Sequence, residues 1–374
     1  MRGTRSAPII GAVLAVVFSI VGPFSLRLAL ARAATRTATV EVENGVLEFR
    51  ALPGERDNVG VNELPSTGSF VEVHFEGARV TAGPGCRLHD VDPRVFHCFA
   101  VTSLDLWMGD RPDEVYLFGE DPTIVHGGAG RDFLSGSGGS DKLIGGRGRD
   151  SIVGRSGGDT LLGGPGNDVL EGFHAGSLGG APSGPDEDLL NGGPGRDFLF
   201  GGPASDRLVG GTGDDQLDGG ENDVVPADPG ADVITGGVVD YSSRRRPVRV
   251  TDAPLEHSGS PGEDDSILAV RVAITGSGDD IVDVAHPGAR IFGNAGDDTL
   301  TSTSGGGVIF GGLGNDILTT SGAPTVVRGE AGDDQLFTAD GTPDVDSCGP
   351  GHDSVYADAS DSVSANCEDV TVAP

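Results

Sequence analysis

The sequence predicts an all-β solenoid, a stack of short strands joined by glycine turns. Three observations carry this: a nine-residue repeat, an apolar position recurring in phase with it, and an excess of glycine. The repeat runs from Gly127 to Leu217 and returns from Gly276 to Val355. Its best copies are Gly127-Gly128-Ala129-Gly130-Arg131-Asp132-Phe133-Leu134-Ser135, Gly145-Gly146-Arg147-Gly148-Arg149-Asp150-Ser151-Ile152-Val153 and Gly163-Gly164-Pro165-Gly166-Asn167-Asp168-Val169-Leu170-Glu171. They share the pattern G-G-x-G-x-D-x-U-x, with U apolar. The 64 glycines in 374 residues far exceed a usual share of about 7%.

Each part of the pattern has a physical task. The glycines permit positive φ and leave backbone carbonyls uncovered. The aspartate adds one hard anionic oxygen of the kind Ca²⁺ prefers, yet one carboxylate and a few carbonyls fill only part of a shell of about 6–8 oxygens. Two stacked turns must therefore share each ion. The apolar residue two places after the aspartate points the other way, as strand alternation requires. Stacking then builds a narrow core with ions along its edges.

The pattern resembles the repeats-in-toxin (RTX) family, also called hemolysin-type calcium-binding repeats, whose nonapeptides form a parallel β-roll with Ca²⁺ between turns. The resemblance implies that each ion lies between turns 18 residues apart on one edge, held by both aspartates and by glycine-turn carbonyls. Candidate carbonyl donors include Gly128, Gly130, Gly146, Gly148, Gly164, Gly166, Gly312 and Gly314.

Along the chain, residues 1–33 read as a signal peptide, with Arg2 and Arg5 before the apolar run Ile9 to Val21 and small residues at Ala29, Ala31, Ala33 and Ala34. Residues 34–126 read as an N-terminal β cap. Asn44-Gly45 is a strong hairpin signal between Thr39–Glu43 and Val46–Arg50, and further strands are expected at Phe70–Phe75 and Val101–Trp107. A cap is what an open coil needs to cover its strand edges.

Residues 127–235 form the first repeat block. Its candidate ligands are Asp132, Asp141, Asp150, Asp159 and Asp168, then Asp188, Asp197, Asp206 and Asp215, with Asp232 beyond them. Successive copies face opposite edges, so both edges carry carboxylates. Gly172 to Pro182, with Phe173 and His174, reads as a loop that replaces one repeat and costs that edge a site. Residues 236–275 form a strand-rich spacer, with strands expected at Val248–Thr251 and Ile267–Ile274.

Residues 276–374 form the second block, where two periods separate. The apolar position continues every nine residues through Val282, Ile291, Leu300, Ile309, Leu318, Val327, Leu336 and Val345. Aspartate occurs only every eighteen, at Asp280, Asp298, Asp316 and Asp334, while Ala289, Gly307, Thr325 and Pro343 occupy the alternate copies. One edge with ions and one without is the expectation. Asp353 closes a final copy in which Cys348 replaces the first glycine.

Four cysteines allow three pairings. Proximity favours Cys86 with Cys98 and Cys348 with Cys367, each closing a short loop worth roughly 3 kcal/mol on the chain-entropy view.

Charge and motifs narrow the function. Removing residues 1–33, which hold four arginines and no acid, leaves 21 basic against 57 acidic residues, a net of −36. Such like charge opposes compaction until cations neutralise it, and it disfavours nucleic acid as a partner. After the signal, no stretch approaches the roughly 20 apolar residues of a membrane span. No H-E-x-x-H or G-x-x-x-x-G-K-[ST] sequence occurs. Gly154-Arg155-Ser156-Gly157-Gly158 matches a nucleophile elbow in letters but lies in phase within the repeat and reads as a glycine turn. His89, His97, Asp90 and Asp92 read as a surface loop between two cysteines. Pairs such as Asp297-Asp298 place neighbours on opposite faces, unlike a glycosidase dyad.

The expectation is a secreted, non-catalytic calcium-binding protein that folds on Ca²⁺ outside the cell. Two alternatives stand beside it: an adhesin or surface-matrix scaffold that contacts cell-surface polymers, and a small secreted polymer-active enzyme.

Overall fold

The structure is a computed structural model that describes residues 37–374, except 64–69, 77–78, 173–186, 203–204, 227–232, 253–257 and 261–264. The signal-like segment, Phe173, His174 and Asp232 lie outside the described residues. Among those described, every regular element is a strand.

Each coil of the first block gives one short strand to each of two faces. One face stacks Thr123–Gly130, Lys142–Gly148, Thr160–Leu162, Leu189–Pro194 and Arg207–Thr212, all parallel. The other stacks Phe133–Ser135, Ser151–Val153, Val169–Glu171 and Phe198–Phe200 in the same manner. In a three-residue strand the middle side chain points inward. Register then sets like on like, Leu143 on Leu161 and Ile152 on Leu170. The resulting columns, from Leu134 to Leu217, are at most 1% exposed.

The stack begins before Gly127. Val46–Arg50 pairs in parallel with Ser103–Trp107, and that strand with Thr123–Gly130. Asn58–Glu63 pairs with Glu114–Phe118, and that strand with Phe133–Ser135. The region expected to be a cap therefore also supplies coils. Beyond them pairing turns antiparallel. Ala38–Glu43 folds onto Val46–Arg50 through Asn44 (φ 53°) and Gly45 (φ 87°), and Phe70–Glu76 and Val95–Phe99 continue from Asn58–Glu63. Phe75 packs on Phe49 and Phe96 at ring-centroid distances of 4.6 and 5.5 Å, covering the end of the core. His97 lies on a strand of this meander, paired with Cys86–Leu88, rather than in the loop expected for it.

The Gly172 insertion does not replace a repeat. Asp159 N donates to Asp188 Oδ1 and Asp168 N to Asp197 Oδ1, both across 29 residues. Both columns of aspartates thus continue past the insertion.

At the spacer one face runs on unbroken, from Val238–Asp240 to Val272–Ile274 and then Arg290–Phe292. On the other face Val233–Thr235 pairs with Ser266–Leu268, while Arg249–Thr251 pairs with Ile281–Asp283. Arg249 also bridges Gly259. The strand nearer in sequence thus sits farther along the stack.

In the second block Val282, Ile291, Leu300, Ile309, Leu318, Val327 and Leu336 are at most 1% exposed, as the period requires. Val345 breaks the expected ladder, being 50% exposed. One extra residue before it shifts the phase, so that Asp346 pairs with Val327 and occupies the inward place. Both expected disulfides, Cys86–Cys98 and Cys348–Cys367, are present.

Candidate metal-binding edges

The aspartates fall on two edges. The first carries Asp132, Asp150, Asp168, Asp197 and Asp215, and later Asp280, Asp298, Asp316, Asp334 and Asp353. The second carries Asp141, Asp159, Asp188 and Asp206. All are at most 4% exposed.

Each column is stitched by one repeated hydrogen bond. Asp132 N donates to Asp150 Oδ1 at 2.8 Å, Asp150 N to Asp168 Oδ1 at 2.7 Å, and Asp197 N to Asp215 Oδ1 at 2.8 Å. On the second edge Asp141 N donates to Asp159 Oδ1 and Asp188 N to Asp206 Oδ1. The second block repeats the bond from Asp280 through Asp298, Asp316 and Asp334 to Asp353, at 2.7 to 2.9 Å.

Along most of the first edge the other carboxylate oxygen is left over, whereas Asp280 Oδ2 accepts from Gly276 N and, on the second edge, Asp141 Oδ2 accepts from Ser137 N and Oγ. Oδ2 of Asp132, Asp150, Asp168, Asp197, Asp298, Asp316, Asp334 and Asp353 is buried and has no hydrogen-bond partner. A buried anionic oxygen without a partner is costly. Its surroundings are other oxygens. A Cβ on Gly145 would lie 2.5 Å from Asp150 Oδ2 and 2.8 Å from Gly163 O, and one on Gly163 would lie 2.6 Å from both Asp168 Oδ2 and Gly192 O. A carboxylate oxygen and a carbonyl of the next coil therefore converge over the first glycine of each turn.

Hard oxygen donors of this kind suit Ca²⁺. Among the described residues no three His, Cys, Asp or Glu side chains gather into one metal cluster. Each turn offers one carboxylate, and carbonyls and water would complete a shell.

The candidate glycines hold the edge together. Gly128, Gly146, Gly164 and Gly312 have φ between 99° and 121°, and a Cβ on Gly146 would strike Gly128 O in the coil below. Gly130, Gly148, Gly166 and Gly314 stack in the same way. A Cβ on a first glycine would also meet the carbonyl of the next coil's first glycine, Gly145, Gly163 or Gly192, residues outside the candidate set. The stack enforces this turn even without glycine, since Arg155, Asn294 and Glu330 take the second place with φ of 89°, 67° and 77°. Gly154-Arg155-Ser156-Gly157-Gly158 is such a turn, followed by the strand Thr160–Leu162.

Burial raises the carboxylates' proton affinity, against the amide hydrogen bonds they accept. It pushes Asp168 and Asp298 up to about 7, and Asp132, Asp197, Asp316 and Asp334 up to about 6. Asp141, Asp150 and Asp280 move the same way, with burial again the main cause.

Two members of the first column escaped the sequence reading. Asp57 N donates to Asp113 Oδ1 at 2.7 Å, and Asp113 N to Asp132 Oδ1 at 2.9 Å. Both are 1% exposed, with Oδ2 unpartnered. Burial pushes them up to about 6 and about 7. The signal was present as D-x-U in Asp113-Glu114-Val115, one residue out of step.

The first members of the acidic pairs form an outer rim. Asp297 N donates to Asp279 Oδ1, Asn315 N to Asp297 Oδ1, and His352 N to Asp333 Oδ1.

The second edge of the second block is built otherwise. Ala289, Gly307 and Thr325 stand where aspartates stood, and hydroxyls hold the turns. Thr325 Oγ1 accepts from Gly306 N at 3.1 Å and donates to Ala323 O at 2.9 Å, and Ser321 Oγ donates to Thr303 O at 3.0 Å. Pro343 does not continue the series. The extra residue puts Asp344 there, accepting from Thr325 N at 2.7 Å.

Fold and site together define a parallel β-solenoid with carboxylate-lined turns. The RTX calcium-binding nonapeptide repeat family, in its four-copy form, matches residues 119–152, 153–173, 183–217, 292–323 and 310–342. These segments are RTX calcium-binding repeats. No match to this chain was found among curated proteins.

Proposed function

We propose that this is a secreted, non-catalytic calcium-binding protein whose β-roll folds as Ca²⁺ binds outside the cell. The carrying observation is the column of buried aspartates whose Oδ2 atoms face carbonyls and have no partner. Bound Ca²⁺ would supply the positive charge that lets these oxygens stay ionised. The chain's own part is to hold Asp132, Asp150, Asp168 and Asp197, and later Asp280 to Asp353, in register through their Oδ1 bonds. Asp141, Asp159, Asp188 and Asp206 do the same on the second edge.

Binding to the folded chain alone makes binding energy into folding energy. At low calcium, like charge keeps the chain extended. Two disulfides favour an oxidising compartment, and the Arg-flanked apolar run Ile9 to Val21 favours export. The adhesin reading calls for an exposed apolar patch on the hydroxyl edge. The exposed Ile281, Ile317, Phe337 and Tyr356 instead stand on a strand face.

The test is circular dichroism of residues 34–374, disulfides intact, titrated with Ca²⁺ after chelation, with Mg²⁺ as control. A cooperative gain of β signal with Ca²⁺ alone is expected. An unchanged, already folded spectrum overturns calcium-coupled folding.

A further inference from the structure

The phase slip leaves a carboxylate in the apolar ladder. Asp346 sits between Val327 and Val363 in the inward column and is 1% exposed. Its Oδ2 accepts from Thr338 Oγ1 at 3.0 Å. Its Oδ1 is buried with no partner at all.

An aspartate here is not part of the nonapeptide pattern, which puts its carboxylate two residues before the inward position. Nor does the family match extend past residue 342. The surroundings are acidic. Thr338 Oγ1 also lies 3.4 Å from Asp361 Oδ2, so one hydroxyl touches both carboxylates. Asp361 is fixed by amides on both oxygens, from Asp344 N at 2.9 Å and Asp358 N at 2.7 Å. Burial, with Asp361, Asp344 and Asp358 nearby, raises Asp346 to about 6. No basic group offsets this charge in any of these contacts.

We infer that Asp346 and Asp361, with the Thr338 hydroxyl between them, form a divalent-cation site of a second kind in the last coil. It differs from the RTX turns in drawing on a carboxylate of the inward column and a threonine hydroxyl instead of glycine-turn carbonyls. Two carboxylates and a hydroxyl are hard donors, so the ion is a hard divalent cation, with Ca²⁺ as the probe and water and backbone oxygen completing the shell. A cation at the unpartnered Oδ1 gives a physical reason for an acid in a column that otherwise carries apolar residues such as Ala273, Ile291, Ile309 and Val327.

The inference rests on calcium binding by the RTX turns only in being probed with the same ion, and the experiment separates the two. Native mass spectrometry of residues 34–374, disulfides intact, counts bound Ca²⁺ in the parent chain, in Asp346→Val, in Asp361→Asn and in the double variant. Asp346→Val restores the apolar ladder and should fold. Each single variant is expected to lose one ion, and the double variant also one, because the residues share a site. An unchanged count in Asp346→Val, or two ions lost from the double variant, overturns the shared site. A parent chain with no bound Ca²⁺ instead overturns the RTX reading.

Discussion

Along the second block, one edge holds Asp280, Asp298, Asp316 and Asp334, and the opposite edge holds Ala289, Gly307 and Thr325 at matching places. Both edges use parallel coils of the same length. On the aspartate edge Oδ1 binds the preceding amide, and at Asp298, Asp316 and Asp334 Oδ2 is left buried and unpartnered. On the hydroxyl edge Ser321 and Thr325 bond to turn carbonyls, and Thr325 also accepts from an amide. The turn can therefore be closed in two ways, one complete by itself and one that calls for a cation. The first block carries aspartates on both edges, and on its first edge Asp132, Asp150, Asp168 and Asp197 close the turn in the second way.

Chelation should expose this contrast most strongly. In hydrogen exchange, removing Ca²⁺ is expected to strip protection from the amides of residues 132–172 before those of the hydroxyl turns at residues 303–307 and 321–325. Equal loss in both sets would show that the hydroxyl edge is no more self-sufficient than the aspartate edge.

Acid should partly replace the ion. Asp298 at about 7, with Asp316 and Asp334 at about 6, stands above the usual value of 3.8. A raised folded-state pKa gives stability that is fully present below the unfolded value and is lost as pH rises through the folded one. Calcium-free chain is therefore expected to gain β signal as pH falls from 7 towards 4, read by circular dichroism. A flat profile would remove protonation as a substitute for the cation.

Single substitutions have the smallest effect. Asp316→Asn should raise the calcium midpoint roughly tenfold, about 1.4 kcal/mol, while leaving calcium-free stability unchanged or slightly higher. Thr325→Val removes the hydroxyl from Gly306 N and Ala323 O, which still bond each other, and should cost about 0.5–1.5 kcal/mol equally with and without calcium. Denaturant melts at both calcium levels distinguish them, and a calcium-dependent cost in Thr325→Val would erase the difference between the edges.

Much of this was legible in sequence because the nine-residue period fixes which residues face inward. It placed Leu134 to Leu217 and Val282 to Leu336 in the core, and the Asn44-Gly45 turn declared its hairpin. The failures lie where the step is not nine. Asp57 and Asp113 stand 56 and 19 residues from their partners, with Met108-Gly109 in place of a glycine pair. Val345 and Asp346 exchanged roles through one added residue, which turns a strand over because its side chains alternate. The strand order of the spacer carries no periodic signal, since it arises from long-range pairing.

That strand order bears on how the molecule can be put together in time. On one face Arg249–Thr251 finds its partner only at Ile281–Asp283, after Ser266–Leu268 has taken the place beside Val233–Thr235. A chain emerging N-terminus first can wind its early coils one after another, but the parallel partner of Arg249–Thr251 arrives only with residues 281–283. The spacer joins its flanks by pairings 32 to 34 residues apart, where a repeat coil pairs across 18, and closing that longer loop costs more chain entropy.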